Sequence, residues 1–257
     1  MNMQQQLIAF NTIVRKEVRR FTRIWVQTLL PPAITMTLYF VIFGHLIGSR
    51  IGQIHGFDYI TFVVPGLVMM AVINNAFANV VSSFYSAKFT KSIEELQVSP
   101  TPNSIILWGY VMGGVLRGLG VGIIVTALSL VFTHLSIAHV GVTLTVVVLT
   151  SVLFSIAGLI NAVYANSFDD ISVVPTFILT PLTYFGGVFY SIDMLSNTWQ
   201  WVSVFNPILY MVNVFRFGIL GVSDVPVGPS LFGIGLLTLA LYIYCWYLLE
   251  KSGKLRG

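Results

Sequence analysis

From Gly118 to Phe168 the chain reads GLGVGIIVTALSLVFTHLSIAHVGVTLTVVVLTSVLFSIAGLINAVYANSF, with no Lys, Arg, Asp or Glu in it. A helix that crosses a bilayer needs ~20 consecutive apolar residues at a rise of ~1.5 Å each. The stretch is too long for one such helix. Its hydropathy dips at Thr133-His134 and again at His139, which divides it into two spans. The rest of the chain has the same character. Of 257 residues 56% are apolar and 9% are charged, and the mean hydropathy is +0.87. An ordinary soluble domain carries about 25% charged residues. Thirteen basic and nine acidic side chains cannot cover the surface of a soluble protein of this size, and so apolar a chain does not stay disordered.

Further charge-free stretches run over 24–49, 59–87, 171–192 and 225–249. The expected architecture is an all-α integral membrane protein, one transmembrane domain over 1–257. Its six spans fall at about 24–47, 62–86, 104–132, 139–165, 171–190 and 230–249. Asp170 or Ser172 can cap the fifth. Arg15, Lys16, Arg19, Arg20, Arg23, Lys88, Lys91, Lys251, Lys254 and Arg256 then share one side of the membrane. Only Arg50 and Arg216 fall on the other, and Arg117 lies inside the third span. The positive-inside rule places the first group, and with it both termini, in the cytoplasm. The apolar run after Arg23 is longer than the 7–15 residues typical of a signal-peptide core, so the first span is expected to be retained. No internal repeat stands out, which counts against inverted-repeat transporter folds.

Three segments are more than plain spans. Leu7, Phe10, Val14, Val18, Phe21 and Trp25 recur at steps of three and four with basic residues between them. This pattern predicts an amphipathic helix over about 5–23 lying along the inner surface, as an anchor or as a lever toward a partner. Residues 86–102 hold Lys88, Lys91 and the helical core Ile93-Glu94-Glu95-Leu96, closed by Pro100 and Pro102. This short helix is either a solvated connector or a docking element. Residues 190–229 are rich in Trp and Phe and break at Asn206-Pro207. Each half is too short to cross the bilayer, so the segment is expected to be re-entrant, packed on the bundle between helices five and six and capping it from outside.

The order of these features resembles the ABC-type-2 exporter permeases, the membrane subunits of ATP-binding-cassette exporters. The likeness covers nearly the whole chain. It is carried by the basic helix followed by QTLLPP at 27–32, by Pro65-Gly66-Leu67, and by Ile93-Glu94-Glu95-Leu96 with Ser99-Pro100. It continues through Pro181 to Gly187-Val188-Phe189, then Asn206-Pro207 and Arg216. The resemblance implies a homodimer in a bacterial inner membrane, driven by two copies of a cytoplasmic ATPase that bind ATP and Mg. Lys88, Lys91, Glu94, Glu95, Leu96 and Val98 become the residues expected to contact that ATPase. Phe205, Asn206, Pro207 and Arg216 become the expected external gate. The chain itself contains no GxxxxGK[ST] phosphate loop, so nucleotide hydrolysis is expected on another polypeptide and no cofactor on this one.

Four further groups carry open readings. Arg117 lies near mid-span, where a charge costs at least ~2.5–3.5 kcal/mol unless protein or water meets it. It either lines a path for an anionic group or pairs within the bundle. Asn74, Asn75 and Asn79 either bond between helices or line the same route. Gly114, Gly118 and Gly122 form a small-residue face for close helix packing. Asp169 and Asp170 are helix-capping residues or a second ATPase contact. His45, His55, His134 and His139 fall at or beyond the outer ends of spans and read as interfacial side chains. Trp25, Trp199, Trp201 and Trp246 read as membrane-interface aromatics. One cysteine, Cys245, excludes an intrachain disulfide. No metal site, nucleic-acid partner or catalytic triad is expected. The competing functions are an ion-driven secondary transporter, which would need acids at membrane depth, and a membrane-embedded enzyme or scaffold.

Overall fold

The computed structural model describes residues 1–251, apart from the side chains of His45, Ser49 and Gln97. Lys254 and Arg256, used above for orientation, lie outside the described residues. Helix α1 is Met3–Arg23. Helix α2 is Trp25–Gly44, continued by a π-type turn to Ile47. A two-stranded antiparallel hairpin pairs β1, Gln53–Ile54, with β2, Phe57–Asp58. Then come α3, Tyr59–Phe89; α4, Ser92–Val98; α5, Asn103–Ser129; and α6, Val140–Tyr164. Residues 170–184 form α7. Helices α8, Asn197–Val204, and α9, Pro207–Leu220, meet at 91°. Helix α10, Val227–Lys251, ends the described chain.

Helix α3 is the axis of the molecule. It is apolar on every side and buried along most of its length, as expected of a helix that other helices surround. Helices α5 and α6 flank it, α1 and α2 lie on α5, and α9 and α10 lie on α6. Five helices among the described residues are long and apolar enough to cross a membrane: α2, α3, α5, α6 and α10. The pair α8 and α9 would count as a sixth if read as one broken span.

The helix expected over 171–190 is shorter, because it stops at Tyr184. Pro175 and Pro181 each remove a backbone donor, and the helix loosens into a π-type turn over Pro175–Leu179. Gly187, at φ +69°, then turns the chain back. It is also not capped by Asp170 or Ser172. Ser167 Oγ accepts the Asp170 N–H at 3.1 Å, and Asp170 Oδ2 accepts the Asn166 and Ser167 N–H groups at 2.9 and 3.1 Å.

The buried stripe of α1 also differs from the expected one. Ile13, Glu17 and Phe21 face inward, while Leu7 and Trp25 are exposed. The inward face is selected by the glycines of α5. A Cβ on Gly109 would lie 2.6 Å from Ile13 Cγ2, and one on Gly113 would lie 2.6 Å from Glu17 Cβ. Helix α1 therefore packs where α5 has no side chains. On the other side of α5, Gly114, Gly118 and Gly122 admit Val72, Ala76 and Val80 of α3, which is intrachain packing of the small-residue kind.

Candidate functional site

At one end of the bundle α4 projects from the link between α3 and α5. Lys91 initiates it in the left-handed conformation, φ +58°. Ile93 is fully buried and Leu96 packs against the core, so α4 is pinned by one side. Ser92 Oγ donates to Ala87 O at 3.3 Å, and Ser99 Oγ donates to Leu96 O at 2.6 Å. The opposite side presents Lys91, Glu95 and Val98, the last 88% exposed, with Glu94 half-buried beside them. Lys88 is turned inward: its Nζ donates to Val163 O at 2.9 Å and Ala165 O at 2.7 Å. A cation on the last carbonyls of a helix complements its dipole, so Lys88 ties α3 to the end of α6.

Sequence reasoning missed two aromatics at this end. Phe89 and Phe168 are both largely exposed, with ring centroids 5.1 Å apart, and Tyr85 packs edge-on to Phe168 at 4.9 Å. The available signal was an aromatic residue inside each of the two charged connectors, SAKFTK at 86–91 and NSFDD at 166–170. Asp169 is exposed beside Phe168.

A polar ladder lies between α1, α3 and α5. Asn75, Asn79 and Ser83, spaced by four, share one face of α3. Arg20 Nη2 donates to Asn79 O at 2.9 Å and Asn79 Oδ1 at 2.8 Å, and lies 3.4 Å from Glu17 Oε2. Ser83 Oγ donates to Glu17 Oε1 at 2.6 Å. Arg117 Nη2 donates to Asn75 Oδ1 at 3.1 Å and to Thr28 O at 3.4 Å. The structure thus brings Arg117, Asn75 and Asn79 together with Glu17, the one acid of α1. Asn74 is separate. Its amide donates to Met70 O at 3.0 Å, and it borders a groove of about 370 Å³ with Ser82, Ile171, Thr176 and Leu179.

At the other end the α8–α9 bend is locked by Asn206. Its Oδ1 accepts the Ile208 N–H at 3.0 Å, and its Nδ2 donates to Leu182 O at 2.6 Å. Pro207 begins α9, where a missing N–H costs nothing. Phe205 is exposed and meets Trp201 edge-on at 4.8 Å. Arg216 is fully buried. It donates from Nε to Phe62 O at 3.3 Å, from Nη1 to Asn213 Oδ1 at 3.3 Å and from Nη2 to Gly187 O at 2.7 Å. Its guanidinium lies 3.9 Å from the Phe62 ring centre. Asn206, Pro207 and Arg216 therefore form the joint that holds the bent pair on α3, and Phe205 is the exposed member of the group.

A bundle of long apolar helices, a short helix projecting at one end and a bent helical pair seated on the other define a multi-pass membrane protein. The chain belongs to the ABC-2 type transporter family, whose model matches residues 8–220. Over 251 residues it is 58% identical to the inner membrane transport permease YadH of Escherichia coli strain K12, covering 97% of this chain and 98% of that protein. It is also 23% identical over 221 residues to nodulation protein J of Rhizobium leguminosarum bv. viciae, covering 84% of this chain and 82% of that one.

Proposed function

We propose that this chain is the permease subunit of an ATP-binding-cassette exporter in a bacterial inner membrane, with both termini cytoplasmic. Two copies form the pathway, and a separate ATPase that binds ATP and Mg drives it. The observation that carries this reading is the seating of α4, which is pinned through Ile93 while Lys91, Glu95 and Val98 face outward. A force applied to α4 enters α3 through the Thr90-Lys91 turn and enters α6 through the Lys88 contacts with Val163 and Ala165. At its far end the same helix α3 holds α9 through the Phe62 carbonyl and Arg216. Its Tyr59 hydroxyl donates to Phe189 O at 3.0 Å. One rod thus joins the docking element to the outer bent pair, which we read as a re-entrant gate. Helix α1 lies along the inner surface, and the polar ladder keys it to α3 and α5. An amphipathic or lipid-linked substrate suits so apolar a lining.

The test is reversal of the α4 charges. With Glu94→Arg and Glu95→Arg together, the chain is expected to reach the membrane and to lose both ATPase copurification and transport. Intact transport by that double variant would contradict the coupling role of α4.

A further inference from the structure

We propose that His55, Asp193 and Asp224 form a binding site for a divalent transition-metal ion of the zinc class, at the end of the molecule opposite α4. The three side chains come from three separate segments. His55 is at the tip of the β1–β2 hairpin with φ +51°, Asp193 is in a single 3-10 turn, Ile192–Met194, and Asp224 is in the link from α9 to α10. One ligand atom from each lies within 4.8 Å of the other two.

Asp224 is preset for the role. Its side chain is 2% exposed. Oδ2 accepts the Ile192 N–H at 3.0 Å, and its own N–H donates to Asn213 Oδ1 at 3.1 Å. That leaves Oδ1 directed at His55 Nε2, 3.1 Å away, with Ser191 Oγ 3.2 Å from the same nitrogen. Ligand atoms at 2.0–2.2 Å from a tetrahedral zinc lie about 3.3–3.6 Å apart, so this pair already has nearly the required spacing. Asp193 is exposed and free to rotate, with its carboxylate within 4.8 Å of the other two ligand atoms.

The charges favour a cation. Two carboxylates converge on one imidazole, and no hydrogen bond or ion pair of Asp193 is found among the described residues. Arg216 offsets one carboxylate at longer range through Asn213, but its other bonds run to the carbonyls of Phe62 and Gly187. The second carboxylate is left for the ion. An imidazole nitrogen among the ligands selects the zinc class over calcium and magnesium, which take oxygen ligands. A bound ion would pin the hairpin between α2 and α3 to the segments on both sides of the bent pair. The site depends neither on the ATPase partner nor on the direction of transport.

The test uses the full-length chain in detergent, stripped with a chelator, without a polyhistidine tag, titrated calorimetrically with zinc chloride at neutral pH. One saturable site per chain is expected, with at least tenfold weaker binding in both His55→Ala and Asp193→Asn. Asp193→Asn removes no side-chain bond found among the described residues, so loss in that variant reports on the site rather than on stability. Absence of one-to-one zinc binding, or wild-type affinity in either variant, would overturn the proposal. So would equal affinity for calcium.

Discussion

Glu17 is fully buried, accepting from Ser83 and facing Arg20, within a helix whose other charges are all basic. Removing its carboxylate leaves the Ser83 hydroxyl and part of the Arg20 guanidinium without an acceptor. Glu17→Ala is expected to cost about 1–3 kcal/mol, the lower end applying because Arg20 is partly exposed. The check is the unfolding temperature in detergent, and Glu17→Gln should lose less because it can still accept from Ser83. Arg216→Ala takes the 2.7 Å donor from the buried Gly187 carbonyl and the second donor from the Phe62 carbonyl, which stays within the α3 helix, a loss of roughly 1–3 kcal/mol. Arg216→Lys should rescue little, because an ammonium lacks the planar fork, and the same melt reads both variants. Asn75 and Asn79 were legible from their spacing on one helical face. Glu17 was not, since the apolar residues at steps of three and four mark one face of α1 and Glu17 lies on a neighbouring one. Only the glycines of α5, more than eighty positions away, decide which one turns inward.

At the scale of elements, helix α3 has one backbone that cannot give. A Cβ on Gly66 would meet Val188 O at 2.6 Å and Val188 Cα at 2.8 Å, both main-chain atoms of the turn after α7. Gly66→Ala should therefore separate α3 from that turn and cost about 1–3 kcal/mol, read as a lower melting temperature with helical content retained by circular dichroism. In the turn before α7, the Asn166 N–H, then the Ser167 hydroxyl and N–H, hold the Asp170 carboxyl below its ordinary range. A carboxyl whose folded pKa is depressed adds stability above its unfolded value and loses it as the pH falls through the folded one. Wild type should thus unfold at a higher temperature than Asp170→Asn at neutral pH, and the gap should close on acidification. A gap that is constant with pH would contradict this. The long helices were legible because charge-free runs of bilayer length have one economical solution in lipid. The early end of α7 is the instructive exception. It carries no charge after Asp170, and Pro175, Pro181 and Gly187 outweigh that composition through geometry.

For the whole molecule, the two ends of the bundle differ in what they present. The end bearing α4 carries exposed Glu95, Val98, Phe89 and Phe168 on a braced base, and the docking proposed for it calls for such apolar knobs beside charges that set register. The opposite end is closed by the bent pair, buttressed on α3. The short helix α4 was readable in the sequence as an IEEL core ended by Pro100 and Pro102. Its aromatic neighbours were not, because residues 89 and 168 are far apart in the chain and meet only when α3 and α6 end side by side. Buried Glu17 is not the acid at membrane depth that ion-driven transport would need, because it belongs to α1, which is not among the candidate spans. Its existing bonds to Arg20 and Ser83 make it a structural pair rather than an open ion ligand.

The most direct measurement is site-specific photocrosslinking in native membranes. Val98 and, separately, Trp201 at the other end are replaced by a photoreactive residue, and the captured chains are identified by mass spectrometry. A polypeptide carrying a GxxxxGK[ST] phosphate loop is expected to be captured from position 98 and never from position 201. Capture from 201 instead, or no such polypeptide from 98 in membranes that are actively transporting, would contradict it.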